Sequence, residues 1–338
     1  MWYVRCSNDP SEELMRSNKI HNADLFTQAA NDGFRKHVKT QSKQALEMID
    51  AKVDWKRLLK PIESAIAKER TSESTAGRSR MNLLVIVKCF LLQMMYNLSD
   101  PRLEEEIADR RSFQIFLGLT SHDAIPDETT ICRYRELFAR LGLDKKLFQG
   151  FNRQLGDRGL IVGKGTIVDA TLKQAQAFGG GRRDKDARYT SRKGKMFYGY
   201  KGHVGMDQKT EIIHTADFTP AHVSDTALFD KMLLGTETSV YADKGYASKQ
   251  RREALEDQGI QCRILFRGAR AHPLSAHQKR INKHLSSIRG AVERPFAFMK
   301  RILGYTRCRY YDLARNRLQF MLSLMVYNMR RSIIPRWT

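Results

Sequence analysis

The apolar positions of this chain follow two periods, and the change comes near residue 160. Residues 1–52 are polar and weakly patterned, and they are left unassigned. Helical spacing begins at VDWKRLLKPIESAI (53–66) and breaks in the polar, basic stretch 68–80. The longest apolar run, MNLLVIVKCFLLQMMYNL (81–98), is interrupted by Lys88, Gln93 and Asn97, so it reads as a buried core helix and not as a membrane span. PRLEEEIADRRSFQIFLGL (101–119) reads as the next helix, with Pro101 in its first turn. In TTICRYRELFARLGL (129–143), Ile131, Leu137, Phe138 and Leu141 alternate with Arg133, Arg135 and Arg140. Such an arginine face suits either a DNA backbone or plain solvent. Residues 53–150 are thus expected to form a helical, DNA-binding domain.

Beyond residue 160 the runs shorten and become β-rich. GTIVDATL (165–172), FYGYKGHVGMD (197–207) and TEIIHTADFTPA (210–221) read as three strands, the last two as a hairpin. SDTALFDKMLLG (224–235) reads as a helix capped by Ser224 or Asp225, SVYADKGYA (239–247) as a strand, SKQRREALEDQG (248–259) as a helix and IQCRILF (260–266) as a strand. Three meandering strands followed by strand–helix–strand crossovers predict an α/β fold: a mixed five-stranded sheet flanked by helices, over residues 160–338. The basic, glycine-rich segment 173–196 is expected to be an insertion loop.

Charge narrows the function. The formal net charge is +22, and from Arg263 onward seventeen Lys and Arg face only Glu293 and Asp312. A polyanion, above all nucleic acid, is the expected partner, and no membrane is. The five cysteines form no CxxC pair, which suits reduced thiols in the cytoplasm.

Against this basic background three acids stand out. Asp169 lies inside the first β-run, Asp243 ends VYAD before a tight turn, and Glu293 sits in IRGAVERPFAFMKR (288–301). A strand-end aspartate usually caps a turn. A carboxylate within a buried strand, however, is costly unless it is paired or binds a metal. The first and fourth strands of the expected sheet are neighbours, so Asp169 and Asp243 converge at the crevice where such sheets place their sites. On one helix, Arg289, Glu293 and Lys300 fall within an arc of roughly 60°. Pro295 is tolerated only in a first turn, so the regular helix is expected to begin or kink near Arg294. Three converging carboxylates suit Mg²⁺ or Mn²⁺, two of which support in-line phosphoryl displacement. Lys201 and Lys244 are further candidates for phosphate contact. Lys201 and His203 share one strand face, and His222 with Asp225 reads more readily as a helix entry than as a metal pair.

These segments resemble the bacterial insertion-sequence DDE transposases of the IS-four/IS-five group. VDAT, YADKGY and RGAVERPFAFMK are similar to that group's three catalytic motifs, in order, and the likeness covers residues 53–332. It implies an RNase-H-like catalytic domain in which Asp169, Asp243 and Glu293 bind two divalent ions. It also implies that Arg289 and Lys300 contact DNA, and that a homodimer cuts double-stranded DNA at terminal inverted repeats. A 3′-OH is freed and joined to target DNA, in the cytoplasm at the nucleoid. The group's signature tyrosine is replaced here by Ser286. A host nuclease of the same fold and a catalytically silent DNA-binding repressor remain as alternatives.

Overall fold

The computed structural model describes residues 40–69, 81–120, 122–176, 183–192, 194–269 and 272–333, with a few positions between 29 and 36. The chain divides into two compact units between Tyr134 and Arg135.

The first unit is helical. Helix α1 (Gln41–Lys52), which the sequence pattern left unassigned, starts where Thr40 accepts the Lys43 amide, and it buries Ala45, Leu46 and Ile49. Helix α2 (Trp55–Lys68) is capped by Asp54. Helix α3 (Leu83–Tyr96) is buried from Leu83 to Met95 apart from Leu84, as a run this apolar on all sides requires, Lys88 and Gln93 included. The buried Lys88 ammonium meets Asp50 at 2.6 Å and the Phe116 carbonyl at 2.7 Å, so the charge that broke the run is paired. The segment expected as one helix over 101–119 is two, α4 (Asp100–Asp109) and α5 (Arg111–Leu117). They break at the extended Arg110, whose guanidinium packs on Tyr96 and Phe113. Helix α6 (Glu128–Arg140) carries the division between the units. No single described helix is long and apolar enough to cross a membrane.

The second unit continues with α7 (Leu143–Asp157) and a mixed sheet of β1 (Gly165–Gln174), β2 (Arg188–Arg192), β3 (Lys195–Asp207), β4 (Ile213–Pro220), β5 (Ser239–Ala242) and β6 (Gln261–Ile264). Strand β3 pairs antiparallel with β1 on one side. On its other side β2 pairs with its first half and β4 with its second. Strand β5 runs parallel to β1, and β6 runs parallel to β5. The neighbouring first and fourth strands of the expectation are β1 and β5. Helix α8 (Lys249–Asp257) links β5 to β6, and α9 (Ala276–Arg289), α10 (Glu293–Arg301) and α11 (Leu313–Ser332) close the unit.

Two expectations change. Residues 173–196 are not simply a loop, because they hold β2, which makes the expected five-stranded sheet six-stranded; the Gly-rich part, 179–181, lies outside the described residues. Residues 224–235 form no α-helix but two 3₁₀ turns, Asp225–Leu228 and Asp230–Met232. Tertiary docking sets this tighter winding. The Met232 carbonyl accepts the Thr215 hydroxyl at 2.6 Å and sits over Gly205, where a Cβ would stand 2.1 Å from that oxygen. Phe229 and Met232 then join Val168, Ala242, Tyr246, Leu255 and Ile264 in the core on this face of the sheet.

Helix α11 covers the opposite face. At Gly202 a Cβ would lie 2.3 Å from the Phe320 ring, so only glycine lets this helix seat there. Phe320 in turn packs on Phe218 with centroids 5.1 Å apart. On the same side Lys173 is fully buried, bonds the Tyr305 carbonyl at 2.6 Å and lies 3.9 Å over the Tyr305 ring. Burial brings its pKa down to about 7. The unfolded chain keeps this proton up to about pH 10, so between about pH 7 and 10 it binds a proton that the folded protein has shed. Stability from this group is therefore expected to rise with pH across that window. Urea unfolding of the parent and Lys173→Met at several pH values checks it: the parent should gain on the variant as pH rises, and parallel profiles would contradict this.

Candidate active site

The parallel pairing of β1 and β5 ends at Val168 opposite Ala242. The next residue on each strand is an aspartate, Asp169 and Asp243, and in-register parallel strands turn such a pair to the same face about 4.8 Å apart. Neither aspartate acts as a turn cap. Asp243 starts the 3₁₀ turn Lys244–Tyr246 without a side-chain hydrogen bond, and its carboxylate engages no other described residue. The Asp169 carboxylate accepts the Ala170 amide at 2.8 Å and the Arg289 guanidinium at 2.9 Å.

Glu293 arrives from the helical side. Helix α9 ends at Arg289, a 3₁₀ turn spans Gly290–Val292, and α10 starts at Glu293. Pro295 therefore lies in the first turn, where its missing N–H breaks no bond. The expected helix start is thus found, but Arg289 and Lys300 belong to different helices. Arg289 also lies 3.4 Å from Glu293, so one guanidinium spans the strand acid and the helix acid. Asp169 is 20 % exposed and Glu293 70 %.

Burial is the main reason that the Asp169 pKa is pushed up to about 6; the Ala170 amide and Arg289 oppose the rise, and Asp243 and Asp225 add to it. Asp225 is a residue that the sequence reading treated as a helix entry. In the structure Ser224 caps that turn, and Asp225 lies 2.9 Å from the Lys201 ammonium. That ammonium is not aimed along a hydrogen-bonding direction, which leaves the buried Asp225 Oδ1 without a hydrogen bond. Only the fold brings Asp225 near Asp169, so nothing in its sequence context signalled it.

The remaining candidates separate by burial. Lys201 is largely buried and bonds the Val223 carbonyl at 2.8 Å, so its charge is turned inward and is not free for phosphate. By register, Lys201 and His203 share the pleat of Leu172 and Ala170, opposite that of Asp169. Burial holds the His203 pKa down at about 4. Arg135 is also no surface cation: it is 4 % exposed, with its guanidinium 4.7 Å over the Tyr310 ring. Arg133, Lys244, Lys300 and Ser286 are exposed.

An all-carboxylate set is what a hard divalent ion takes, and the Asp243 carboxylate makes no hydrogen bond or ion pair among the described residues. The residues fit such an ion in chemistry. With Arg289 holding Asp169 and Glu293, no three His, Cys, Asp or Glu side chains among the described residues stand close enough to hold one.

The Arg289–Asp169 bridge is expected to couple in stability. A double-mutant cycle of Arg289→Ala with Asp169→Asn, read by chemical denaturation, should give an interaction of roughly 0.5–3 kcal/mol. Additive effects would contradict the contact.

Residues 162–329 match the family described as transposase DDE domain, and residues 34–137 match the one described as transposase domain (DUF772). Among solved structures, the piggyBac transposase synaptic complex with hairpin DNA is 12% identical, with a TM-score of 0.49 over 86% of this chain and 74% of that one. A pre-cleavage Mos1 transpososome is 11% identical, with a TM-score of 0.19 over 93% of this chain and 98% of that one. These structural likenesses are too slight to carry weight, whereas the two sequence matches between them cover most of the chain. By those matches the chain belongs to the insertion-sequence DDE transposases.

Proposed function

We propose that Asp169, Asp243 and Glu293 form the catalytic centre with which this transposase nicks DNA at the terminal inverted repeats of its own element. The freed 3′-OH is then joined to target DNA. The observation that carries this reading is the juxtaposition of Asp169 and Asp243, with Glu293 tied to Asp169 through Arg289. A transposase DDE domain implies dependence on a divalent metal; Mg²⁺ is the proposed ion, taken two at a time, with Mn²⁺ as a substitute.

Held by these three carboxylates, such ions would activate the attacking oxygen and neutralise charge on the scissile phosphate. The chain's own residues do the rest. Arg289 is proposed as a phosphate grip: divalent ions that take over Asp169 and Glu293 would release its guanidinium, whose fork matches phosphate oxygens. Lys300 lies within about 20° of Glu293 around α10 and so faces the same DNA segment, with exposed Lys244 beside Asp243. The helical unit, through Arg133, is proposed to add further DNA contacts. Two element ends must be brought together, so the working form is proposed to be a homodimer, acting at the nucleoid in the cytoplasm.

The test is incubation with a labelled element end in Mg²⁺. Site-specific nicking is expected, and Asp169→Ala, Asp243→Ala and Glu293→Ala should each lower it by at least about 10³-fold while DNA binding is retained. Sequence-independent cutting would point to a nuclease. Binding without cleavage in either Mg²⁺ or Mn²⁺ would leave only a repressor.

A further inference from the structure

Helix α10 presents cations in two directions. At 100° per residue, Lys300 falls about 20° from Glu293, but Arg294 and Arg301 fall roughly 100° and 80° to its other side. On that second side, Arg294 and Arg301 meet Arg330 and Arg331 of α11 around a groove of about 500 Å³, with Phe298 and Tyr327 at its base. The acid in its lining is Glu211, which pairs with Arg294 and lies 3.4 Å from Arg331. Glu211 is held at a left-handed φ of 62° and is 8% exposed, so it orders these two arginines from below and does not reach solvent. Arg301 has no ion-pair partner among the described residues, and Arg330 rests 5.0 Å over the Phe298 ring. Among the described residues, four guanidinium groups against one carboxylate leave about three positive charges uncompensated.

The chemistry of this lining selects its occupant. Every cation in it is an arginine, whose planar fork matches phosphate oxygens two at a time. The surface is concave with charges along both walls, which suits a rod of phosphates better than a lipid sheet. Arg294 and Arg301 lie two turns apart, about 10 Å, and one duplex strand offers a phosphate every 3.4 Å of axis or so, so the pair spans about three phosphates. Among the described residues no asparagine or glutamine lines the groove, its carboxylate is tied, and arginines set at phosphate spacing grip the backbone whatever the base sequence. The fit is to duplex DNA of any sequence.

We propose that the α10–α11 groove holds the target duplex, while the Glu293 side of the same helix faces the element end being cut. This rests on the strand-transfer reading above. The test uses the full chain carrying Arg301→Glu, and separately the milder pair Arg301→Gln with Arg330→Gln, each first checked for an unchanged melting temperature. The yield of strand transfer per nicked end into an unrelated duplex should fall by about tenfold or more, because a target grip is lost after the nick is made. For the paired variant, binding to a random-sequence duplex should lose about two from the slope of log affinity against log salt. A constant yield per nicked end, an unchanged salt slope, or a loss confined to binding of anionic vesicles would each overturn the proposal. If the parent protein nicks no DNA, the transposase reading fails instead, and the salt-slope measurement still decides whether this groove grips a duplex.

Discussion

Two carboxylates set side by side at the ends of adjacent parallel strands repel each other, and burial there removes the water that would soften that repulsion. Asp169 and Asp243 are held in this relation by the β1–β5 pairing, with Asp225 adding a third negative charge nearby. The unit supplies Arg289 as the compensating cation, delivered by the end of α9 just before the chain breaks into a 3₁₀ turn. The turn matters because it lets α10 begin afresh at Glu293, with Pro295 in its harmless first turn. Sheet register, helix break and charge pairing therefore serve one end: an anionic focus inside a basic protein. The surrounding cations are proposed to draw in DNA, and the focus to accept a phosphate with a divalent ion between them.

Much of this was readable from periodicity. The β-branched run around Asp169, the tight turn after Asp243 and the proline after Glu293 are local signals, and their elements form where those signals place them. The β-α-β order also fixed which strands are neighbours, since crossovers leave few alternatives. What escaped reading was decided by tertiary contact. The 224–235 segment has a helical pattern, but it winds as 3₁₀ because Met232 and Phe229 must dock over Gly205 and the core. Arg135 and Lys201 look like surface cations by spacing, yet one is stacked on Tyr310 and the other faces Val223 and Asp225. Neither partner is near in sequence, so no local pattern announces the burial. Asp225 entered the neighbourhood of Asp169 by the same route.

The net charge of +22 acquires structure once α10 is resolved into sides. Arg289 pairs with Asp169 and Glu293, while Arg294, Arg301, Arg330 and Arg331 line a separate groove with Glu211. A helix that turns Glu293 and Lys300 one way and Arg294 and Arg301 another suits the proposed reaction with two DNA partners. Composition alone could give only the presence of the charge.

Asp169, Asp243 and Glu293 are proposed to act together on a divalent ion at a DNA end, and electron paramagnetic resonance of Mn²⁺ bound to the complex of the full chain with an element-end duplex decides it. Bound Mn²⁺ is expected in the parent complex, with an affinity lower by about tenfold or more in Asp169→Asn and Asp243→Asn while the DNA stays bound. Equal Mn²⁺ affinity in parent and variants would rule out a shared metal site at these carboxylates.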